Sequence, residues 1–224
     1  MNSVFMGFSL TLLLTGLLGT ALPEDTSAPI LPPGVKVVWE LEKAYREATP
    51  TRERVCINGL WKWQPGDPLD NQVPSEGWGY FKVPGSWPGI TDYMQKDCQT
   101  VYRHPKWDKI RLGSISAAWY QRQITIPSEW QGRRILLQAD YLNSYASVYI
   151  NDQRVGEMVF PSGTVDLSRF CEPGQTYALS VLVAALPMKA VLLAATDSNS
   201  AREVRGSVAR RGFCGDVYLV ALPT

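Results

Sequence analysis

Three runs decide the fold: Trp119-Tyr120-Gln121-Arg122-Gln123-Ile124-Thr125-Ile126, Arg134-Ile135-Leu136-Leu137-Gln138-Ala139 and Tyr145-Ala146-Ser147-Val148-Tyr149-Ile150. The last alternates cleanly, with Ala146, Val148 and Ile150 on one face and Tyr145, Ser147 and Tyr149 on the other, the period-two signature of a strand. Too little chain separates the runs for helices to fit between them. Strands recurring every 8 to 12 residues or so, with turn signals between, are the pattern of an antiparallel sandwich or barrel. The turns carry suitable chemistry, since Pro127 to Gly132 and Asn151-Asp152 tolerate turn dihedrals or bond their own backbone. A fourth run places Tyr177, Leu179, Val181 and Val183 on one face and Ala178, Ser180 and Leu182 on the other. Val165 to Gly174, just before it, reads as a short helical or extended turn closed by Pro173-Gly174.

Working outward toward lower numbers, Arg54 to Gln64 reads as a strand that the turn-prone Asn58-Gly59 can bulge, and Gly79 to Val83 reads as another. Between Ile90 and Ala117 no periodicity survives, and a loop of that length in a compact domain shapes a site or packs on a partner. Val37, Val38, Leu41, Ala44, Tyr45 and Ala48 recur at helical spacing, which predicts an amphipathic helix over Val37 to Ala48. Ala28 to Gly34, with three prolines and a glycine, reads as a tether. Toward higher numbers, Ala190 to Thr196 and Gly215 to Leu222 read as strands, and the polar Asp197 to Arg211 between them as a second site-forming loop.

The chain has 224 residues, enough to bury a core without metal or heavy disulfide stapling. Its 22 basic and 21 acidic residues leave a formal charge of +1, so no electrostatic footprint for nucleic acid is present. Phe8 to Leu18 is an apolar run of signal-peptide length that ends in the small residues Gly19-Thr20-Ala21. It predicts cleavage after about residue 21, a secreted or periplasmic product, and no membrane attachment afterwards. Cys56, Cys98, Cys171 and Cys214 suit an oxidising compartment; they allow three pairings or free thiols, and none has metal-ligand spacing.

Chemistry is sparse. The single histidine, His104, excludes multi-histidine metal sites and lies in a loop, where a Ser-His-Asp arrangement would depend on it alone. Asp140, Asp166 and Asp216 sit at strand ends or turns, where carboxylates ordinarily accept backbone N–H bonds rather than work as the opposed pair that glycoside hydrolysis needs. Gly77-Trp78-Gly79 opens no helix, so it is not a dinucleotide fingerprint. No cofactor is implied. Eight tryptophans are the compositional excess. Trp61, Trp63 and Trp119 lie in strands and read as core, whereas Trp87 and Trp107 lie in loops and are the candidate aromatic platforms for a sugar.

Several motifs, in order, resemble the N-terminal sugar-binding domain of glycoside hydrolase family 2, the group of β-galactosidases, β-glucuronidases and β-mannosidases. They are Arg54 to Trp61, Phe81-Lys82-Val83-Pro84-Gly85-Ser86-Trp87, Ala118-Trp119-Tyr120-Gln121-Arg122, Ile126 to Gly132, Asp140 to Asp152, Arg154-Val155-Gly156 and Arg211 to Leu219. Together they span about Arg52 to Leu222. The resemblance implies an all-β, jelly-roll β-sandwich of the galactose-binding-like type. It also implies a domain that, in the family, precedes an immunoglobulin-like sandwich and a (β/α)₈ barrel carrying both catalytic glutamates. Glu157 to Gly163 departs from the family's glycine-rich stretch. Asp197 and Glu203 lie in the loop from which some β-galactosidases send an acid to the barrel, but no motif selects either of them.

The expected organisation is therefore a signal peptide over 1–21, a linker and short amphipathic helix over 22–51, and a sugar-binding sandwich over 52–224. The expected function is a non-catalytic carbohydrate-binding accessory domain of an exported family 2 hydrolase, inactive on glycosides by itself and partnered by carbohydrate and a catalytic barrel. The alternative is a structural domain that docks a barrel and binds no sugar alone. A self-contained hydrolase would instead require convergent, perturbed acids in one pocket.

Overall fold

A computed structural model describes residues 28–87, 101–185, 188–193, 201–206 and 210–223; the expected signal peptide lies outside them. The strands run β1 (Arg46–Ala48), β2 (Glu53–Cys56), β3 (Gly59–Gly66), β4 (Gly79–Val83), β5 (Val101–Tyr102), β6 (Ala117–Thr125), β7 (Arg134–Ala139) and β8 (Leu142–Asn143). They continue with β9 (Tyr145–Ile150), β10 (Gln153–Val159), β11 (Gly163–Asp166), β12 (Thr176–Ala184), β13 (Met188–Leu193), β14 (Ala201–Gly206), β15 (Gly212–Phe213) and β16 (Val217–Leu222). A five-stranded sheet in the order β1-β2-β16-β7-β11 faces a seven-stranded sheet in the order β10-β9-β12-β6-β3-β4-β5. The strand pairings among the described residues are antiparallel, and β13-β14 and β15-β8 form two small pairs beside the main sheets. The all-β sandwich expected from the alternating runs is what forms.

Inward-pointing residues of both sheets meet in one core. From the seven-stranded sheet come Trp61, Trp63, Phe81, Ala118, Tyr120, Ile124, Val148 and Val181; from the five-stranded sheet come Val55, Leu137, Val217 and Leu219. The alternation read from sequence holds, because Ala146, Val148 and Ile150 lie in this core, as do Leu179, Val181 and Val183. The β9–β10 turn places Asn151 and Asp152 at φ 45° and 67°, the left-handed pair that a tight hairpin needs, and Asn151 Oδ1 accepts the Ala178 N–H at 2.9 Å.

Several expectations are corrected. The helix expected over Val37 to Ala48 is a single 3₁₀ turn, Leu41–Lys43, followed by the edge strand β1, which pairs with β2. The five-stranded sheet offers this segment backbone partners, among them Cys56 N–H donating to Tyr45 O at 2.9 Å. A helix would also bury an apolar stripe, whereas Val38 and Tyr45 remain 76% and 65% exposed. Because β1 belongs to the sheet, the sandwich starts before residue 52. The single strand expected over Arg54 to Gln64 is two strands in different sheets, and the chain crosses between them at Asn58-Gly59, where Gly59 takes φ +123°. Val165, assigned to a turn, lies in β11, and the loop expected over Asp197 to Arg211 contains β14. In the aperiodic 90–117 stretch, the described part holds β5 and two 3₁₀ turns, Pro105–Trp107 and Leu112–Ser114.

Candidate functional site

Outward residues of the seven-stranded sheet form the floor of the site. In β6 these are Gln121, Gln123 and Thr125; in β3, Lys62 lies opposite Gln121. Across β12, Thr176 pairs with Thr125, Ala178 with Gln123 and Ser180 with Gln121. Hydrogen bonds tie the floor together, with Gln121 Nε2 donating to Ser180 Oγ at 3.1 Å and the Thr125 and Thr176 hydroxyls bonded at 2.9 Å. The segment Val37 to Trp39 stands over one side as a wall, Trp39 held by its Nε1–H donating to Cys56 O at 3.0 Å. The result is an open cleft of about 420 Å³ whose polar lining includes Lys62, Gln121, Gln123, Thr125, Asp152 and Thr176. Such amides and hydroxyls are donors and acceptors for sugar hydroxyls, and the Lys62 ammonium among them can meet a carboxylate.

A second cleft of about 300 Å³ lies beyond the same wall, and Trp39, Leu60 and Arg122 border both. Arg122 is a buried cation, 6% exposed, at an inward position of β6. Its Nη1 donates to the carbonyls of Ile57 and Asn58, and its Nη2 to those of Leu60, at 3.0 Å, and Val37, at 3.4 Å. The guanidinium also lies 5.2 Å from the Trp61 ring centroid. Burial holds its pKa down at about 10. Arg122 thus staples the crossing between the sheets at Asn58-Gly59, and it fixes one end of the wall through Val37.

Neither tryptophan predicted as a sugar platform has a free face. Trp87 is 0% and Trp107 4% exposed, and both pack on Trp63, at centroid distances of 6.2 and 5.2 Å. Their indole N–H groups donate to Ile115 O at 3.1 Å and Gly77 O at 2.9 Å. The loops holding them fold inward because these large apolar rings close one end of the sandwich, so a loop position did not mean exposure. His104 is also buried; its Nδ1 accepts the Lys106 N–H at 3.0 Å, which caps the Pro105–Trp107 turn and occupies the nitrogen a triad aspartate would need. Asp166 accepts from Ser168 N–H and Arg134, and Asp216 from Asn58 Nδ2, so both carboxylates are engaged structurally. Among the described residues no group of three or more His, Cys, Asp or Glu could hold a metal, and no helix is long and apolar enough to cross a membrane.

Known proteins agree with this architecture. The β-glucuronidase of Felis catus is 26% identical over 116 residues, covering 50% of this chain and 17% of that protein. The β-glucuronidase of Paenibacillus borealis is 24% identical over 137 residues, covering 60% and 22%. The solved structure of the Faecalibacterium prausnitzii β-glucuronidase matches 80% of this chain and 33% of its own, with a TM-score of 0.56 at 18% identity. The chain thus resembles the N-terminal part of these enzymes in sequence and fold. No family model matches it. The chain spans less than a quarter of these curated relatives' lengths, so the likeness joins it to one part of those enzymes.

The cleft was only half visible in sequence. Alternation alone places Lys62, Gln121, Gln123, Thr125 and Thr176 outward, a signal weaker by eye than the loop aromatics. The wall at Val37 to Trp39 was hidden by the helical spacing of the same residues.

Proposed function

We propose that the chain is a non-catalytic accessory domain of an exported glycoside hydrolase, working beside a catalytic barrel and recognising carbohydrate in the cleft over Lys62, Gln121 and Gln123. The observation that carries the reading is the polar lining of that cleft: two amides, two hydroxyls, one ammonium and the Asp152 carboxylate border a space of about 420 Å³. Similarity to part of the β-glucuronidases supports carbohydrate as the ligand class, and the run Phe8 to Leu18 supports export. Titration calorimetry with β-glucuronides and neutral β-linked oligosaccharides tests it. A dissociation constant near millimolar, about 4 kcal/mol, is expected, weakened at least fivefold by Gln121→Ala with Gln123→Ala at unchanged Tm. Absence of heat and of NMR shift changes at roughly 10 mM ligand would remove the claim.

One observation favours a docking role alongside. Val159 and Phe160 are 58% and 50% exposed at the end of β10, and Phe160 stands edge-on to Tyr141 at 5.9 Å, an apolar knob with room for a neighbouring module. Phe160→Ser is expected to weaken association with a separately expressed β-glucuronidase barrel while leaving sugar titration unchanged; equal association would dismiss the knob.

A further inference from the structure

Beyond the polar cleft, the same outer face becomes aromatic. Trp119, Tyr149, Leu182 and Ala184 form, with Trp78 and Ala117, an apolar cluster separate from the main core. An outward sheet face is ordinarily polar, so these rings need a cover. The cover is the loop that begins at Asp67, through Val73 and Trp78, and it leaves Trp119 at 0% and Tyr149 at 3% exposure.

That cover is fastened unevenly. Its far end is tied by Trp107 Nε1–H to Gly77 O at 2.9 Å, by Gln64 Nε2 to Glu76 O at 3.0 Å and by the Lys106–Glu76 ion pair. From residues 67–73, the hydrogen bond to the sheet is Trp119 Nε1–H donating to Asp70 Oδ2 at 3.1 Å. The other bonds there close the loop on itself: Asp67 N–H to Asp70 Oδ2, Leu69 N–H to Asp67 Oδ1 and Asp70 N–H to Asp67 O. Leu69 points outward, 88% exposed.

Register joins the covered rings to the open cleft. Ser180 pairs with Gln121 on one side and with Tyr149 on the other, so Lys62, Gln121, Ser180 and Tyr149 form one row across four strands. Trp119 lies two residues from Gln121 along β6, about 7 Å. The two rings have centroids 5.3 Å apart and are tilted by 55°. We propose that residues 67–73 are a lid, and that lifting it extends the cleft onto Trp119 and Tyr149 as a stacking platform for a second ring of a β-linked oligosaccharide. This rests on carbohydrate binding in the cleft; the lid makes the ligand a chain of sugars rather than a single one.

Calorimetry with a hyaluronan tetrasaccharide, which alternates glucuronate and N-acetylglucosamine, and with free glucuronate separates the two claims, using the whole chain, Asp70→Ala and Tyr149→Ser. Asp70→Ala is expected to bind the tetrasaccharide three- to tenfold more tightly with glucuronate unchanged, and Tyr149→Ser to bind the tetrasaccharide more weakly. Equal tetrasaccharide affinity in wild type and a folded Asp70→Ala overturns the lid while leaving the cleft. Silence with both sugars in all three proteins overturns the cleft and the lid with it. Should Asp70→Ala not fold, the indole N–H resonance of Trp119 in the wild-type protein, assigned by its loss in Trp119→Phe, decides. It is expected to shift with tetrasaccharide but not with glucuronate, and a resonance unmoved at saturation refutes the lid.

Discussion

Replacing Arg122 with alanine removes the staple at the point where the chain passes from one sheet to the other. Its three stronger hydrogen bonds, to Ile57, Asn58 and Leu60 carbonyls, are charge-assisted and amount to about 6 kcal/mol at about 2 each. Against them stands the burial of the cation, which holds its pKa down at about 10 and offsets part of that gain. A net loss of about 3 kcal/mol is expected, since alanine also leaves the carbonyls of Asn58 and Leu60 without this donor. For a domain of this size that corresponds to a fall in Tm of about 6–12 °C. Urea unfolding followed by tryptophan fluorescence, with m unchanged, is the assay. Arg122→Lys should recover less than half, because a single ammonium does not reproduce the planar fork. A loss below about 1 kcal/mol for Arg122→Ala would show that the carbonyls find other partners and that the staple reasoning is wrong.

Other expectations follow from the same geometry. Gly59→Ala should cost about 2 kcal/mol, since φ +123° strains an L-residue and its Cβ would lie 3.2 Å from Arg122 Nη2; chemical denaturation measures this, and a neutral result refutes it. Trp87→Ala should cost about 3–5 kcal/mol by denaturation, as expected of core and not of a solvent-facing platform. Burial raises the Cys171 thiol to about 12, so the folded state keeps a proton that the unfolded state loses near 9. Its contribution to stability is therefore full below pH 9 and declines as pH rises toward 12, and Cys171→Ala should flatten that part of the pH–stability curve. In the native protein Cys171 should resist iodoacetamide at pH 8.5 and react after urea unfolding, as peptide mapping would show.

How far the sequence could be read depended on whether a residue's neighbours were local. Alternation in Tyr145 to Ile150 and in β12 fixes which side chains point inward, because the pleat has a period of two whatever it packs against. Asn151-Asp152 was legible as a turn for a similarly local reason. Val37 to Ala48 was not: its apolar spacing suits a helix, but the exposed edge of β2 supplies backbone partners that spacing cannot reveal. Trp87 and Trp107 were misplaced for a related reason. Whether a loop ring faces water depends on what closes the end of the sandwich, here Trp63 with its neighbours, contributed by a strand distant in sequence. The role of Arg122 is not legible in its motif, since its carbonyl partners come into reach only when the chain switches sheets.

The position of β16 has a consequence for how the molecule is made. Val217–Leu222 is the last strand described, yet it lies in the middle of its sheet, pairing with β2 on one side and β7 on the other. Until it emerges from the ribosome, β1-β2 and β7-β11 remain two separate ribbons, each with an open edge that another chain could capture. Synthesis of this domain should therefore pass through a long sticky interval that ends only when residues 217–222 arrive, and a chaperone holding the nascent chain would matter most just before that moment.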